Sequence, residues 1–170
     1  IISDYNYGVA DEQAISAIRA AQRKRDFPVT VDSRFRLTEF QGFTSATPNE
    51  DEVEQLLGRR FGSLADLETA AGELRARLGC EALLITRGPK GMLLREAETS
   101  RHIAAVGARE PVDVTGAGDT VIAAYTLALA AGASFAEAAH LANRAGGLVV
   151  MKRGTASISR AELLSSLKAI

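Results

Sequence analysis

Apolar side chains at Ala14, Ile15, Ile18 and Ala21 recur at the spacing of a helix with one buried face, and predict a helix over 11–25 whose basic last turn suits the helix dipole. The run Phe27-Pro28-Val29-Thr30-Val31-Asp32 reads as a short buried strand. A polar stretch over 33–41 follows, and then Thr44-Ser45-Ala46-Thr47-Pro48-Asn49 leads to Val53, Leu56 and Leu57, again at helical spacing, with Gly58 as the stop. A further helix is expected over 63–78, ended by Gly79. Glu81-Ala82-Leu83-Leu84-Ile85-Thr86 has the continuous apolar character of a strand covered on both faces. Gly88-Pro89-Lys90-Gly91 reads as a turn that makes a hairpin with Met92-Leu93-Leu94. A short strand is expected over 102–106. Beyond a glycine-rich loop, residues 120–131 are apolar nearly all round and predict a helix covered on every side. Ser134-Phe135-Ala136-Glu137 and Ser159-Arg160-Ala161-Glu162 are capping-box patterns that open the last two helices.

Strands alternating with helices define an α/β fold, a mainly parallel sheet flanked by helices on both faces, with a ligand crevice at the C-terminal ends of the strands. Three polar clusters fall at such ends: Asp32-Ser33-Arg34, Thr86-Arg87-Gly88 and the loop before Asp119. Ile1-Ile2-Ser3-Asp4-Tyr5 begins without methionine in what reads as the end of a strand, so an N-terminal part of the fold is expected to be absent.

Composition narrows the function. The 170 residues are 46% hydrophobic and 24% charged, enough for a core, with no internal repeat or low-complexity linker. Twenty basic against 21 acidic residues give a formal charge of −1, which lacks the footprint of a non-specific nucleic-acid binder or a polybasic membrane protein. A small-molecule partner is expected, with neither nucleic acid nor membrane. The apolar run 121–131 is far below the roughly 18–20 residues that span a bilayer. The lone Cys80 makes no internal disulfide and no zinc cluster, and a cytoplasmic setting is expected.

Asp113-Val114-Thr115-Gly116-Ala117-Gly118-Asp119 carries the strongest chemical signal. Its glycines let successive backbone N–H groups turn toward one point at a helix N-terminus, making an anion nest. Asp119, in the first helical turn, is placed to accept the proton of an attacking hydroxyl while the amides stabilise a phosphoryl group. Gly-Ala-Gly-Asp alone favours an ordinary helix start; seven residues with acids at both ends reverse that and favour the site. Asn49 and Glu52 share one end of a helix, where they could organise waters around Mg²⁺ or simply form a capping box, and the spacing fits both. Thr86-Arg87-Gly88, with Gly91 after two residues, offers a hydroxyl, a guanidinium and flexible backbone to a nucleotide's phosphates, and also fits a plain tight turn. His102 and His140 lie apart from any nucleophile motif and read as surface or packing histidines, and Cys80 as a small core residue. Neither a P-loop nor a complete dinucleotide fingerprint is present.

The segment 113–119 resembles the C-terminal signature of the ribokinase-like (PfkB) carbohydrate kinases, and its neighbours agree in order. Ile2-Ser3-Asp4-Tyr5 with Gly8, Val31-Asp32 with Arg34, Ala46-Thr47-Pro48-Asn49, Leu84-Ile85-Thr86-Arg87 with Gly91-Met92, and residues 142–150 with Gly154-Thr155 are most similar to the heptose 7-phosphate kinases of lipopolysaccharide-core precursor synthesis. The resemblance covers nearly the whole chain. It implies transfer of the ATP γ-phosphoryl group to a sugar hydroxyl, with Asp119 as base and the Gly116, Ala117 and Gly118 amides as the anion hole. Thr86, Arg87, Gly88 and Gly91 would contact the nucleotide phosphates, Asn143 would lie against adenine, and Asn49 and Glu52 would organise Mg²⁺ through water. A K⁺ site near Asp113, Thr115 and Gly154 is implied for many members. Two positions depart from the heptose subgroup: Tyr7 stands where lysine is usual, and Gly88 where serine is frequent.

Members of this family are about twice as long. The resemblance therefore makes residues 1–170 the C-terminal, nucleotide and catalytic-base part of a single kinase domain. The absent N-terminal half would supply the sugar-binding residues and the lid through which homodimers form. The leading acceptor is the anomeric hydroxyl of D-glycero-D-manno-heptose 7-phosphate. Alternatives are another kinase of the family, acting on ribose, fructose or a nucleoside, and a non-catalytic nucleotide-binding module.

Overall fold

In the computed structural model, which describes residues 1–107 and 111–168, three parallel pairings build the first of two compact units, Ile1–Ile85 with Arg95–Ser100. Strand β1 (Ile2–Asp4) pairs with β2 (Thr30–Ser33), placing Ile2 opposite Val31 and Asp4 opposite Ser33. Strand β3 (Ser45–Ala46) lies between β2 and β4 (Ala82–Thr86), with Val31 opposite Ala46 and Ala46 opposite Leu83. Parallel neighbours need crossover connections, and helices supply them. Helix α1 (Glu12–Lys24) joins β1 to β2, and α2 (Glu50–Leu57) and α3 (Leu64–Leu78) join β3 to β4.

These helices begin and end where their terminal backbone groups find partners. Asp11 caps α1 by accepting from the Ala14 N–H at 2.8 Å, and Ser63 caps α3 through the Asp66 N–H. Gly58 and Gly79 close α2 and α3 in the left-handed conformation. Leu67, Ala70, Ala71, Leu74 and Leu78 of α3 are buried, as are Leu83, Leu84 and Ile85 of β4.

Two features of this unit depart from the sequence reading. The polar stretch 33–41 contains a 3₁₀ turn, Leu37–Glu39, that buries Leu37 and is followed by buried Phe40, so it contributes to the core. Strand β3 has no hydrophobic pattern of its own. Its Ser45 hydroxyl donates to the Ala82 carbonyl at 2.8 Å, and its two residues are fixed by strands on both sides.

The second unit holds Thr86–Leu94 and the chain from Arg101 on. A 3₁₀ turn, Gly88–Lys90, leads into β5 (Met92–Arg95), whose sheet neighbour is β6 (Ser100–Ile103). Helix α4 (Ala117–Ala130) packs along α5 (Phe135–Val149), and α5 touches α6 (Arg160–Lys168). Ser134 and Glu137 form the expected capping box on α5, and Ser159 and Glu162 bond reciprocally at the start of α6. Helix α4 is not covered on every side. Val121, Ile122, Tyr125 and Ala128 are buried, but Leu127 is 71% exposed, because α5 covers one face of α4 and Leu127 points away from it. The strand expected over 102–106 lies earlier, because the Ala104 carbonyl is taken by the Asn143 side chain of α5 at 2.7 Å instead of a ladder partner.

Candidate active site

The loop before α4 is built around one carboxylate. Asp113 Oδ1 accepts from the Thr115 N–H at 2.9 Å, and its Oδ2 accepts from the Gly154 N–H, also at 2.9 Å, across 41 residues of sequence. The Val112 and Asp113 N–H groups both donate to the Val150 carbonyl. These bonds brace the loop against the segment that follows α5. Amide donors from Thr115 and then Gly154 hold the Asp113 carboxyl below the usual carboxylate range.

Past this brace the chain turns into α4 through Gly116, whose φ of 76° is open to glycine at little cost. The first-turn amides of a helix have no partner four residues back, and the positive end of the helix dipole lies here. The Gly116 and Gly118 N–H groups make no hydrogen bond among the described residues, so both are available to an anion. The third amide of the expected hole is placed differently. The Ala117 N–H donates to the Val114 carbonyl at 3.2 Å, because the backbone after Val114 folds back on itself. Asp119 lies in the first turn of α4 on the exposed side.

The nucleotide candidates fall in the same unit. Thr86 ends β4, and the turn after it is closed by the Arg87 N–H donating to the Gly91 carbonyl at 2.9 Å. At Gly91, with φ 87° and ψ −131°, an added Cβ would lie 2.0 Å from the Ile103 carbonyl oxygen, so the turn is seated directly on the end of β6. Asn143 is 5% exposed, and its Nδ2 donates to the Ala104 carbonyl. One helical turn later, a Cβ at Gly147 would sit 1.9 Å from the Val106 carbonyl oxygen. Asn143 and Gly147 therefore share the face of α5 along which 104–107 runs. The i, i+4 spacing of Asn143 and Gly147 is the sequence signal for that role.

Asn49 and Glu52 lie in the first unit, apart from the other candidates in the chain's division. They form the capping box in full: Asn49 Oδ1 accepts from the Glu52 N–H at 2.8 Å, and Glu52 Oε2 accepts from the Asn49 N–H at 2.9 Å. Burial pushes the Glu52 carboxyl above its ordinary value, although the Asn49 hydrogen bonds and the nearby Arg34 charge pull the other way. Oε1 is outside the box, which leaves one carboxylate oxygen for a metal-bound water. Among the described residues no group of three or more His, Cys, Asp or Glu side chains could hold a metal directly, and no helix is long and apolar enough to cross a membrane.

A second polar cluster in the first unit was not anticipated. Asp4, 4% exposed at the end of β1, accepts from the Ser33 hydroxyl at 2.8 Å, the Asn6 N–H at 3.1 Å and Arg36 Nη2 at 2.9 Å. Burial raises its pKa, but the Arg36, Ser33 and Asn6 donors outweigh burial and leave it lowered. Arg34, the cation noticed in the sequence, is not the partner.

Residues 4–162 match the family described as pfkB family carbohydrate kinase. The chain is 42% identical over 170 residues to the "Bifunctional protein HldE" of Gluconacetobacter diazotrophicus, covering 99% of this chain and 35% of that protein. It is 43% identical to the protein of the same name from Shewanella loihica, covering 98% of this chain and 35% of that protein. Among solved structures, Arabidopsis thaliana ribokinase complexed with ribose and ATP superposes with a TM-score of 0.78 and 28% identity, over 92% of this chain and 51% of that one. Phosphofructokinase-2 from Escherichia coli in complex with substrates and products gives a TM-score of 0.80 and 25% identity, over 96% and 53%. The chain thus spans about a third of the length of these curated relatives and about half of these solved kinases. Its fold is ribokinase-like α/β, and the chain belongs to the pfkB family of carbohydrate kinases.

Proposed function

We propose that the full-length protein transfers the γ-phosphoryl group of ATP to a sugar hydroxyl, with the anomeric hydroxyl of D-glycero-D-manno-heptose 7-phosphate as the acceptor. The observation that carries the chemistry is the braced loop 113–116 running into α4, with two amides that make no hydrogen bond among the described residues and an exposed aspartate in the first turn. Asp119 takes the proton of the acceptor hydroxyl as its oxygen bonds to the γ-phosphorus. The bond to the β,γ-bridging oxygen breaks and ADP leaves. The Gly116 and Gly118 amides stabilise charge on the transferred group. Such a hole is effective because it is fixed beforehand, and the Asp113 bonds to Thr115 and Gly154 are what fix it.

Thr86, Arg87, Gly88 and Gly91 would present the phosphate-binding turn. Asn143 would shape the adenine side through the 104–107 backbone that it and Gly147 hold. Mg²⁺ would be held through water by Asn49 and Glu52, supplying charge neutralisation at the phosphates. A K⁺ ion would sit near Asp113, Thr115 and Gly154, which the Asp113 carboxylate brings together. A cytoplasmic enzyme, dimeric through segments outside this chain, completes the reading. The heptose phosphate is favoured by the two HldE relatives above 40% identity, against 28% or less for the two sugar-kinase structures.

The test is ³¹P NMR of the full-length protein with Mg·ATP and the heptose 7-phosphate. A new anomeric phosphate resonance with release of ADP is expected. ATP consumption with ribose or fructose 6-phosphate but not with the heptose would overturn the acceptor and keep the chemistry. Nucleotide binding with no turnover on any sugar would overturn both.

A further inference from the structure

Between the end of α5 and the start of α6 the chain runs as a loop with no main-chain scaffold. Among the described residues, no N–H or C=O of 153–158 takes part in a backbone–backbone hydrogen bond. Contacts involving side chains fix the loop instead. Lys152 Nζ donates to the Ser157 carbonyl at 2.7 Å, and the Gly154 N–H donates to Asp113 Oδ2 at 2.9 Å. The Thr155 methyl lies 3.7 Å from the point where a Cβ on Gly116 would stand. The last two contacts seat this loop against the turn into α4.

Lys152 is anchored at both ends of the loop. Its own N–H donates to the Val149 carbonyl at 2.9 Å, which ties it to the end of α5. Its Nζ also meets Glu162 Oε1 at 2.7 Å, while Glu162 Oε2 accepts from the Ser159 N–H and hydroxyl, both at 2.8 Å, at the start of α6. The Lys152 hydrogen bond first, and then the Ser159 donors, pull the Glu162 carboxyl down to about 2, so it is charged throughout the range in which an enzyme is assayed. An exposed ion pair adds little to global stability. This one closes a loop that nothing else in the backbone closes, so its effect is local.

An anion hole works because its donors are already in place when charge develops, and a misplacement of about 1 Å can cost on the order of 10²-fold in rate. Asp113 receives one of its two braces from the Gly154 amide, which is held only as firmly as its loop.

We propose that Lys152 is a positioning residue for phosphoryl transfer, closing the loop 152–157 so that Gly154 and Thr155 hold 113–116 in the shape that meets the transferred group. This rests on the reading of the start of α4 as the phosphoryl site. Lys152 touches no reacting atom, and Glu162 offsets its charge, so its contribution is to geometry.

The experiment compares wild type, Lys152→Met, Lys152→Arg, Asp113→Ala and the Lys152→Met/Asp113→Ala double variant in the full-length protein with the heptose 7-phosphate. It reads kcat, KM for Mg·ATP, melting temperature and, with a ¹⁵N-glycine label, the Gly154 amide resonance. Lys152→Met should lower kcat by about tenfold, with KM within about twofold and melting temperature within about 3 °C of wild type. Lys152→Arg keeps N–H donors for Ser157 and Glu162 and should return kcat to within about twofold. Asp113→Ala should lower kcat at least as much as Lys152→Met, and the double variant should be no worse than Asp113→Ala alone. The Gly154 amide proton, held downfield by the carboxylate, should move upfield in Lys152→Met. A kcat within about twofold of wild type in Lys152→Met, beside a lowered kcat in Asp113→Ala, overturns the Lys152 role and leaves the phosphoryl site standing. An unchanged kcat in Asp113→Ala overturns the brace and the Lys152 role together. Losses that add in the double variant, an Arg variant as impaired as Met, or an unmoved Gly154 amide in Lys152→Met also refute the proposal, the last without any dependence on activity. No turnover by wild type on any sugar overturns the kinase reading and this proposal with it.

Discussion

Replacing Gly91 by alanine separates two costs that a glycine can conceal. The first is backbone conformation: φ 87° with ψ −131° is a region that side chains of L residues rarely enter, and the strain is about 1–2 kcal/mol. The second is space. The new Cβ would lie 2.0 Å from the Ile103 oxygen, 2.7 Å from the Ala105 nitrogen and 2.9 Å from the Ala104 carbonyl carbon, all backbone atoms that cannot rotate aside. Forcing them apart adds an overpacking cost of about 1–3 kcal/mol, for a total of about 2–5 kcal/mol. Gly88 is the internal control. Its φ is 54° and a Cβ there meets nothing within 4 Å, so Gly88→Ala should cost only the strain, about 1 kcal/mol. Urea unfolding of the full-length protein reads the difference, as a lower midpoint at unchanged slope for Gly91→Ala. Equal midpoints for the two variants would refute the reasoning, because the turn would then be able to lift off β6 freely.

Asp113→Asn should weaken the brace and change the acid limb of stability. Because its native pKa lies below the unfolded value, Asp113 stabilises above about pH 4 and loses that contribution as pH falls through the native pKa. The variant's stability should therefore fall less steeply on acidification, which unfolding midpoints across that range would show. Arg36→Met leaves the Asp4 carboxylate buried with the Ser33 hydroxyl and Asn6 N–H as its donors among the described residues, and should lower the melting temperature and raise the Asp4 pKa. Adding Asp4→Asn should recover part of the loss, and purely additive losses would contradict the coupling. Asn49→Ser retains an N-cap hydroxyl, so stability should stay within about 0.5 kcal/mol of wild type while the Mg²⁺ concentration for half-maximal activity rises several-fold. An unchanged Mg²⁺ requirement would leave Asn49 as a cap alone.

The helices and their ends were legible because the signals are local. Asn49 with Glu52, Ser134 with Glu137, and the glycines at 58 and 79 fix caps through groups within a few residues of one another. Strand β3 was not legible, because its two residues owe their conformation to β2 and β4. The cover of α4 was misjudged for a related reason: composition shows that a helix is apolar, while only packing decides which face stays exposed, as at Leu127. At the site, the loop and helix start could be read from 113–119, but the Ala117 amide could not, since its donation to Val114 depends on backbone torsions that no residue type there dictates. The links from Asp113 to Gly154, Asn143 to Ala104 and Arg87 to His102 join residues 15 to 41 positions apart, which no local pattern reveals.

The most direct test of the account is the rate of phosphoryl transfer by Asp119→Asn in the full-length protein, measured beside its melting temperature and its affinity for Mg·ATP. Asparagine keeps the shape and the hydrogen-bonding oxygen but cannot take a proton. The account predicts that kcat falls by about 10²–10⁴ while melting temperature and nucleotide affinity stay near wild type. A kcat within a few-fold of wild type would contradict it, and would make Asp119 a first-turn acid of α4 with no part in the chemistry.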